Sequence, residues 1–398
     1  MHKIAAICTT YFPTSHADVI VSRWLEPRPT DERWGWQPRS RIASLHVAQP
    51  RPNRRLIELP PVRWGEVPHS RELELGAPLA RIHSVPMFNT IREALTLGGH
   101  TLAVDGVLLI GEHGDYPVNP IGQTLYPRKE FFDEIVAVFR ESGRCVPVFC
   151  DKHLSWNAEW AREMVATARE MGFPLMAGSS LPYSFTLKPP LPPAAELVEG
   201  VAVFYGGAEV YGFHSLEAMQ RFIETRAGGE SGISALTAFR GEAVWEAMER
   251  GAWSRDLFDA ALAACEHVMP GDARENCHRT STHDPWGSPT AFVLEHADGL
   301  RTAHIQLEGH IEDFGLALRR RDGAIHANRW EAGGPEDFYG HFAALDAKIQ
   351  EMFLTGRAPA PIERTLLTTM TIATCMQALA KSGQRIGTPH LQISYRCE

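Results

Sequence analysis

The run Val146–Pro182, VPVFCDKHLSWNAEWAREMVATAREMGFPLMAGSSLP, constrains the fold more than any other part of the chain. A short apolar strand, VPVFC, leads directly into three ionisable residues, Asp151, Lys152 and His153. A helix follows, with a stripe of Trp160, Met164, Ala168 and Met171 that stops at Gly172, and then a second apolar run, PLMAG. A continuous apolar strand marks a parallel sheet covered on both faces, and open parallel sheets form their ligand crevice at the strand carboxyl ends. The unit is half of a dinucleotide-type α/β domain, and chemistry is expected at Lys152 and its neighbours.

The pattern extends to both sides. Ile4–Cys8 reads as a first strand, His16–Leu25 as its helix and Arg41–Val47 as a second strand. Residues 49–76 carry many prolines and little periodicity, so they read as an inserted surface segment. Val104–Ile110 is another apolar strand, and Arg128–Ser142 has a helical stripe ending at Gly143. Beyond KPPLPP at 188–193 come VEGVAVFYGG, a helix from about His214 to Arg226, and alternating stretches with a hairpin turn at Asp298-Gly299. The tail holds a helix over Glu363–Ser382 and a terminal strand over His390–Tyr395. The predicted fold class is therefore α/β, with a Rossmann-like parallel-sheet domain over 1–182. An α+β domain with an open, mostly antiparallel sheet is predicted over 183–398, its C-terminal helix placed to pack back on the first domain.

With 398 residues, 44 % of them hydrophobic, the chain can build two cores. The formal net charge of −9 argues against a nucleic-acid surface, and Arg51–Arg55 is too short and Pro-broken to reverse it. Neither a leader nor a membrane span is read before Ile4–Cys8, so a cytoplasmic protein without membrane contact is expected. Seven cysteines without a CxxC pair fit reduced, buried thiols.

Four places together resemble the Gfo/Idh/MocA family of oxidoreductases over nearly the whole length. Asp151-Lys152-His153-Leu154 is similar to the family's Glu-Lys-Pro turn, and LARIHSVPMFNTIREAL to the segment before its third strand and helix. YGFH at 211–214 resembles the end of its Asp-x-Gly-x-His motif, and FLTGRAPAPIERTLLTTMTIATCMQAL its C-terminal helix region. The resemblance implies that Lys152 contacts cofactor and reacting hydroxyl, and that His214 is the acid or base. It also implies association through the open sheet of the second domain as a homo-oligomer. Two departures stand out. Cys8, Thr10 and Pro13 occupy the positions of the family's phosphate-loop glycines, which permit the tight turn and the close approach of pyrophosphate. The family's aspartate before the histidine falls on Val210, with Glu209 one position away. Phosphate could still be held at the helix N-terminus, with Thr9, Thr10, Thr14 and Ser15 as the cofactor-binding candidates.

Gly111-Glu112-His113-Gly114-Asp115 follows the Val104–Ile110 strand, so Glu112, His113, Asp115 and His153 form a candidate set for Zn²⁺ or Mn²⁺. The alternative is that these groups bind one another or a polar substrate. Lys152, His214 and His153 are the candidate proton-transfer groups, and Asp151, Glu209, Tyr211, Ser179 and Ser180 the candidate substrate contacts. The helix dipole is expected to keep His214, near a helix start, neutral. Cys277-His278 and His283-Asp284 have the composition of a surface loop. Trp34 and Trp36 read as anchors of their loop, with stacking on a sugar ring as the alternative.

The missing glycines beside an excess of carboxylates and histidines lead to a first expectation: metal-assisted lyase, hydrolase or epimerase chemistry on a carbohydrate-like small molecule, without ordinary NAD binding. The alternative is an NAD(P)-dependent oxidoreductase acting on a secondary alcohol of a sugar or polyol. A third reading is a metabolite sensor that does not turn over.

Overall fold

The structure is a computed structural model that describes residues 1–50, 74–278 and 285–397. Most of the 49–76 insertion and the pair His283-Asp284 lie outside the described residues. The chain divides into two compact units: residues 1–117, 125–184 and 332–362 make the first, and 118–124, 185–331 and 363–398 the second.

The first unit carries a five-stranded parallel sheet. Strand β1 (His2–Cys8) leads into a π turn (Asp18–Ser22) that runs on as α1 (Arg23–Leu25). Then come β2 (Ser40–Val47), α2 (Gly76–Ile82), α3 (Ile91–Thr96), β3 (Gly106–Ile110), α4 (Arg128–Ser142), β4 (Val148–Asp151), α5 (Ala158–Met171) and β5 (Leu175–Gly178). The sheet order is β2-β1-β3-β4-β5 with every pairing parallel. β3, β4 and β5 are buried along their whole length, as the apolar runs GVLLI, VFC and LMAG require. The stretch LARIHSVPMFNT contributes no strand of the sheet, only an isolated bridge from Leu45 to Met87. Helix α5 starts because Asn157 accepts hydrogen bonds from the N–H groups of Glu159 and Trp160. It stops at Gly172, whose φ of 71° is left-handed and open to glycine without a Cβ penalty. Trp34 and Trp36 are buried in the core of this unit, Trp36 beside Trp24 with ring centroids 4.8 Å apart. They anchor their loop from inside and offer no stacking surface to a sugar.

The second unit is built on a seven-stranded mixed sheet. Its elements are β6 (Leu197–Phe204), α6 (Val210–Ile223), β7 (Ile233–Arg240), α7 (Glu242–Glu249), α8 (Arg255–Ala264), α9 (Ala273–His278), β8 (Thr290–His296) and β9 (Arg301–Gln306). They continue with β10 (Phe314–Arg320) and β11 (Ile325–Arg329), and β12 (Ile386–Gly387) closes the order β11-β10-β6-β9-β8-β7-β12. Among the described residues of this sheet, only β6 and β9 pair in parallel. Between β11 and β12 the chain forms α10 (His341–Thr355), which belongs to the first unit, and α11 (Ile362–Leu379). One face of the sheet packs against α6: Gly200 on β6 lies against Met219, and Ser215 bonds His304 of β9. The other face is not open. Val201, Val203, Ala291, Val293, Ala303, Ile305 and Ala317 are sealed beneath Trp245, Met248, Trp253, Leu257 and Phe258 of the α7–α8 segment, and Cys277 is buried in the same cluster. The sheet is open at both ends of its strand order and mostly antiparallel, as expected. The terminal strand expected over His390–Tyr395 is instead a 3-10 turn at Pro389–Leu391 followed by an isolated bridge from Tyr395 to Glu230. Pro389 lacks the N–H a ladder needs and fits the first turn of a helix. Among the described residues no helix is long and apolar enough to cross a membrane.

Candidate functional site

The first unit gathers its charged residues at the carboxyl ends of β3 and β4. Lys152 follows β4 with φ of 63°, and His113, beyond β3, has φ of 65°. A left-handed non-glycine residue costs of order 1–3 kcal/mol and persists only where the surroundings fix it, which is characteristic of functional sites. The fixing contacts are visible. Lys152 O accepts the N–H of Gly178 at 3.0 Å, and Lys152 Nζ lies 3.5 Å from Glu112 Oε1. Thr9 Oγ1 donates to Glu112 O at 2.6 Å, tying the end of β1 to the same turn.

Arg128, at the first position of α4 and fully buried, is the residue that sequence reasoning missed. Its guanidinium pairs with Glu112, donates from Nε to Asp151 O at 3.2 Å and faces His153 Nε2 at 3.4 Å, with the Tyr126 ring 5.0 Å away. Burial alone would raise the Glu112 carboxyl, but the charges of Lys152 and Arg128 outweigh it and hold it well below the usual carboxylate range. Burial, with Arg128 beside it, pushes His153 well below its ordinary value, so this imidazole is neutral. Arg128 thus occupies the centre of the group that had been expected to take a metal. Asp115 stands apart: it is exposed, and its main chain pairs with the Gln49 side chain at 2.7 and 3.2 Å. Among the described residues no three His, Cys, Asp or Glu side chains are arranged to hold a metal ion. The metal set of Glu112, His113, Asp115 and His153 is corrected on that geometry.

Asp151, buried at the end of β4, accepts a 2.7 Å hydrogen bond from His16 Nδ1. His16 packs edge-on against His113 and Phe342, with centroids 5.2 and 5.0 Å away. Ser179 and Ser180 are buried just past β5, where Ser179 Oγ accepts the Leu181 N–H and the Ser180 carbonyl the Tyr183 N–H. Their main visible work is to shape the 3-10 turn after β5.

A nicotinamide dinucleotide would place its pyrophosphate on the turn after β1, and the residues there do not fit it. Thr9, Thr10, Tyr11, Phe12 and Ser15 are all buried. The donors that a phosphate would use are already engaged: Thr14 N–H donates to Asp18 Oδ2 at 2.8 Å, and Phe12 N–H to Ser15 Oγ at 3.1 Å. Asp18 also accepts from Ser22 Oγ, and burial raises its carboxyl above the ordinary value. Tyr11 is locked by its hydroxyl to Ser22 at 2.7 Å and by its carbonyl to Leu75 N–H at 2.9 Å. A carboxylate of the chain therefore sits in the helix N-terminal cradle, where an anionic ligand would go.

In the second unit the candidates lie at the start of α6. The ring of Tyr211 lies 4.3 Å from that of Tyr205 and 5.7 Å from His214. Gly206 makes this possible, since it has φ of 84° and a Cβ there would overlap the Tyr211 ring. Glu209 is buried and its Oε2 accepts the N–H of Thr124 at 3.1 Å. Val210, at the position of the family aspartate, is exposed. Because α6 begins at Val210, His214 lies in its second turn rather than at its end, which weakens the expected effect of the helix dipole.

No family model matches the sequence, and no curated protein matches it. Solved structures do match the fold. GenD2 from gentamicin A biosynthesis, in complex with NAD, is similar at 13 % identity over 97 % of this chain and 96 % of that one, with a TM-score of 0.56. A myo-inositol dehydrogenase from Corynebacterium glutamicum aligns at 11 % identity over 97 % and 98 % of the two chains, with a TM-score of 0.53. An apo scyllo-inositol dehydrogenase from Lactobacillus casei aligns at 9 % over the same shares, with a TM-score of 0.55. The chain thus has the fold of the Gfo/Idh/MocA-type dehydrogenases from end to end, in agreement with the resemblance in its motifs. The expectation of metal-assisted elimination, hydrolysis or epimerisation is overturned by these neighbours, two of which are inositol dehydrogenases and one of which holds NAD.

Proposed function

We propose that the chain is an oxidoreductase of the Gfo/Idh/MocA type that converts a secondary alcohol of a sugar or polyol to the ketone, its hydride acceptor a nicotinamide nucleotide held otherwise than by the turn after β1, which does not fit a pyrophosphate. The observation that carries this reading is Lys152, held in a left-handed conformation at the carboxyl end of β4 and ion-paired to Glu112, in a fold shared with inositol dehydrogenases. The chain's own residues would orient the alcohol and handle its proton. Lys152 presents an ammonium to the reacting oxygen, and the Glu112–Arg128 pair fixes where that ammonium points. His214 is the second candidate, carried by its place in the YGFH motif.

The test is direct. Purified chain is assayed with NAD⁺ and NADP⁺ against inositols and aldoses, following reduced nicotinamide, with Lys152→Ala and His214→Asn in parallel. Turnover that Lys152→Ala abolishes supports the reading; no turnover with either nucleotide on any polyol overturns it. The carboxylate of Asp18 in the phosphate cradle favours one second reading, a metabolite sensor of the same fold. A chain that binds a polyol, binds no nucleotide and keeps polyol binding in Lys152→Ala fits that reading instead.

A further inference from the structure

We infer that Tyr211, seated on Gly206 and backed by Tyr205, is the surface of the second unit on which the ring of a cyclic polyol stacks; this rests on the sugar or polyol substrate of the proposed function.

The chain between β6 and α6 is shaped around that one side chain. Gly206 has φ of 84°, and a Cβ there would overlap the Tyr211 ring, so the ring lies directly on the main chain. Tyr205 closes in beside it with centroids 4.3 Å apart and rests in turn on Phe314 at 5.2 Å. Phe314 meets Phe204 at 5.1 Å and Phe204 meets Trp330 at 5.7 Å, so the pair of tyrosines is backed by rings that reach into the core. An aromatic ring fixed before the ligand arrives gives up little freedom on binding.

The core around it is filled by other rings. Phe204, Phe213, Phe314 and Trp330 are buried, whereas Tyr205 and Tyr211 are partly exposed. Of the fourteen residues of α6, only Val210, Tyr211 and Arg221 are not buried. Tyrosine suits such a position, with an apolar face for contact and a hydroxyl that tolerates water. The polar residues alongside are of the kind that bind hydroxyl groups. The His214 ring is 5.7 Å from that of Tyr211, and Glu209, two residues before it, has its carboxylate oriented by the Thr124 N–H at 3.1 Å. An aromatic surface with a few oriented polar groups is the general make-up of a small-molecule site. A pyranose or inositol ring matches it, because it offers C–H groups on a face and hydroxyls around its edge. An open-chain alditol carries the same hydroxyls without a fixed C–H face, and a wholly apolar ligand would gain nothing from Glu209 and His214.

The experiment measures binding to the full chain without nucleotide, by titration calorimetry and saturation-transfer NMR. The probes are myo-inositol, methyl β-glucopyranoside and sorbitol, and the proteins are wild type, Tyr211→Leu, Tyr211→Phe and Tyr205→Leu, with melting temperatures as the check on folding. Tyr211→Leu should raise Kd for the two cyclic probes about ten-fold, the scale of one aromatic contact, and leave that of sorbitol little changed. Tyr211→Phe should restore what Tyr211→Leu loses, and Tyr205→Leu, acting through Tyr211, should show a smaller loss. Should Tyr211→Leu fail to fold, wild-type chain with protonated tyrosine rings in a deuterated background decides: irradiating those rings should transfer saturation to the C–H protons of myo-inositol, and no transfer overturns the inference. So does an unchanged Kd in Tyr211→Leu, or an equal loss for cyclic and open-chain probes, and either result leaves the oxidoreductase reading standing. Cyclic-polyol binding that depends on Tyr211 in a chain that turns over no polyol sinks that reading and keeps the stacking surface. A chain that binds neither cyclic probe overturns the inference as well.

Discussion

Asp18 offers the sharpest perturbation of the cofactor question. Its carboxylate takes the Thr14 N–H at 2.8 Å, a donor that a pyrophosphate at the start of this helix would need. If both were present, the carboxylate and a phosphate oxygen would contest one N–H and lie about 5 Å apart. At an effective dielectric of about 20, two unit charges at that separation repel by roughly 3 kcal/mol, or about a hundred-fold in Kd. Asp18→Asn removes the charge but keeps an oxygen able to accept from the Thr14 N–H, while its NH2 can donate to Ser22 Oγ, so the turn should hold its shape at a cost of about 1 kcal/mol or less. The expected result is that NAD⁺ or NADP⁺ binds Asp18→Asn ten- to a hundred-fold more tightly than the wild type by titration calorimetry, with a similar melting temperature. Because burial raises the Asp18 carboxyl, wild-type affinity should also improve as pH falls and the carboxyl takes up its proton, and the variant should lack that dependence. Equal affinity in the two proteins at every pH would refute the reasoning, as would tight wild-type binding with Asp18 still on Thr14.

Three more outcomes follow from buried groups. Arg128→Met leaves Glu112 buried with only Lys152 to balance it and should cost about 3–5 kcal/mol in urea unfolding, while adding Glu112→Gln should recover part of that loss. A loss below about 1 kcal/mol would mean that the pair does not hold the turn. Burial raises the Asp346 carboxyl on α10 well above its ordinary value, so the native state keeps a proton that the unfolded chain releases. The stability it contributes is intact below the unfolded value and is lost as pH rises through the folded one, and Asp346→Asn should flatten that decline in unfolding free energy measured against pH. Trp253→Ala, which opens the layer sealing the second sheet, should cost about 3–5 kcal/mol in urea unfolding; a small loss would show that the α7–α8 segment is not part of that core.

What could be read in the chain beforehand was what is local. The strand VPVFC, its helix and Asp151-Lys152-His153 are legible because hydrophobic period and turn chemistry act over a few residues, and β4, α5 and the Lys152 turn lie within a residue or two of their expected places. The departure of Cys8, Thr10 and Pro13 from a glycine loop was visible for the same reason. That Asp18 and Ser15 fill the cradle was not, since side-chain capping of a turn depends on rotamers that no periodicity encodes. The α7–α8 layer went unread because two short amphipathic helices on a sheet face look like any other loop-linked helices until their partner surface is known.

The metal expectation failed in an instructive way. Glu112, His113, Asp115 and His153 are the right residue types at adjoining strand ends, but residue type says nothing about which cation they meet. The answer lies sixteen residues beyond Glu112, where a loop returns the chain to the first turn of α4 and delivers Arg128 between Glu112 and His153. A guanidinium there neutralises Glu112 permanently and keeps His153 uncharged, which a metal would do only while bound. Lys152 then has a fixed counter-charge beside it. What this cluster can bind thus follows from where one arginine lands.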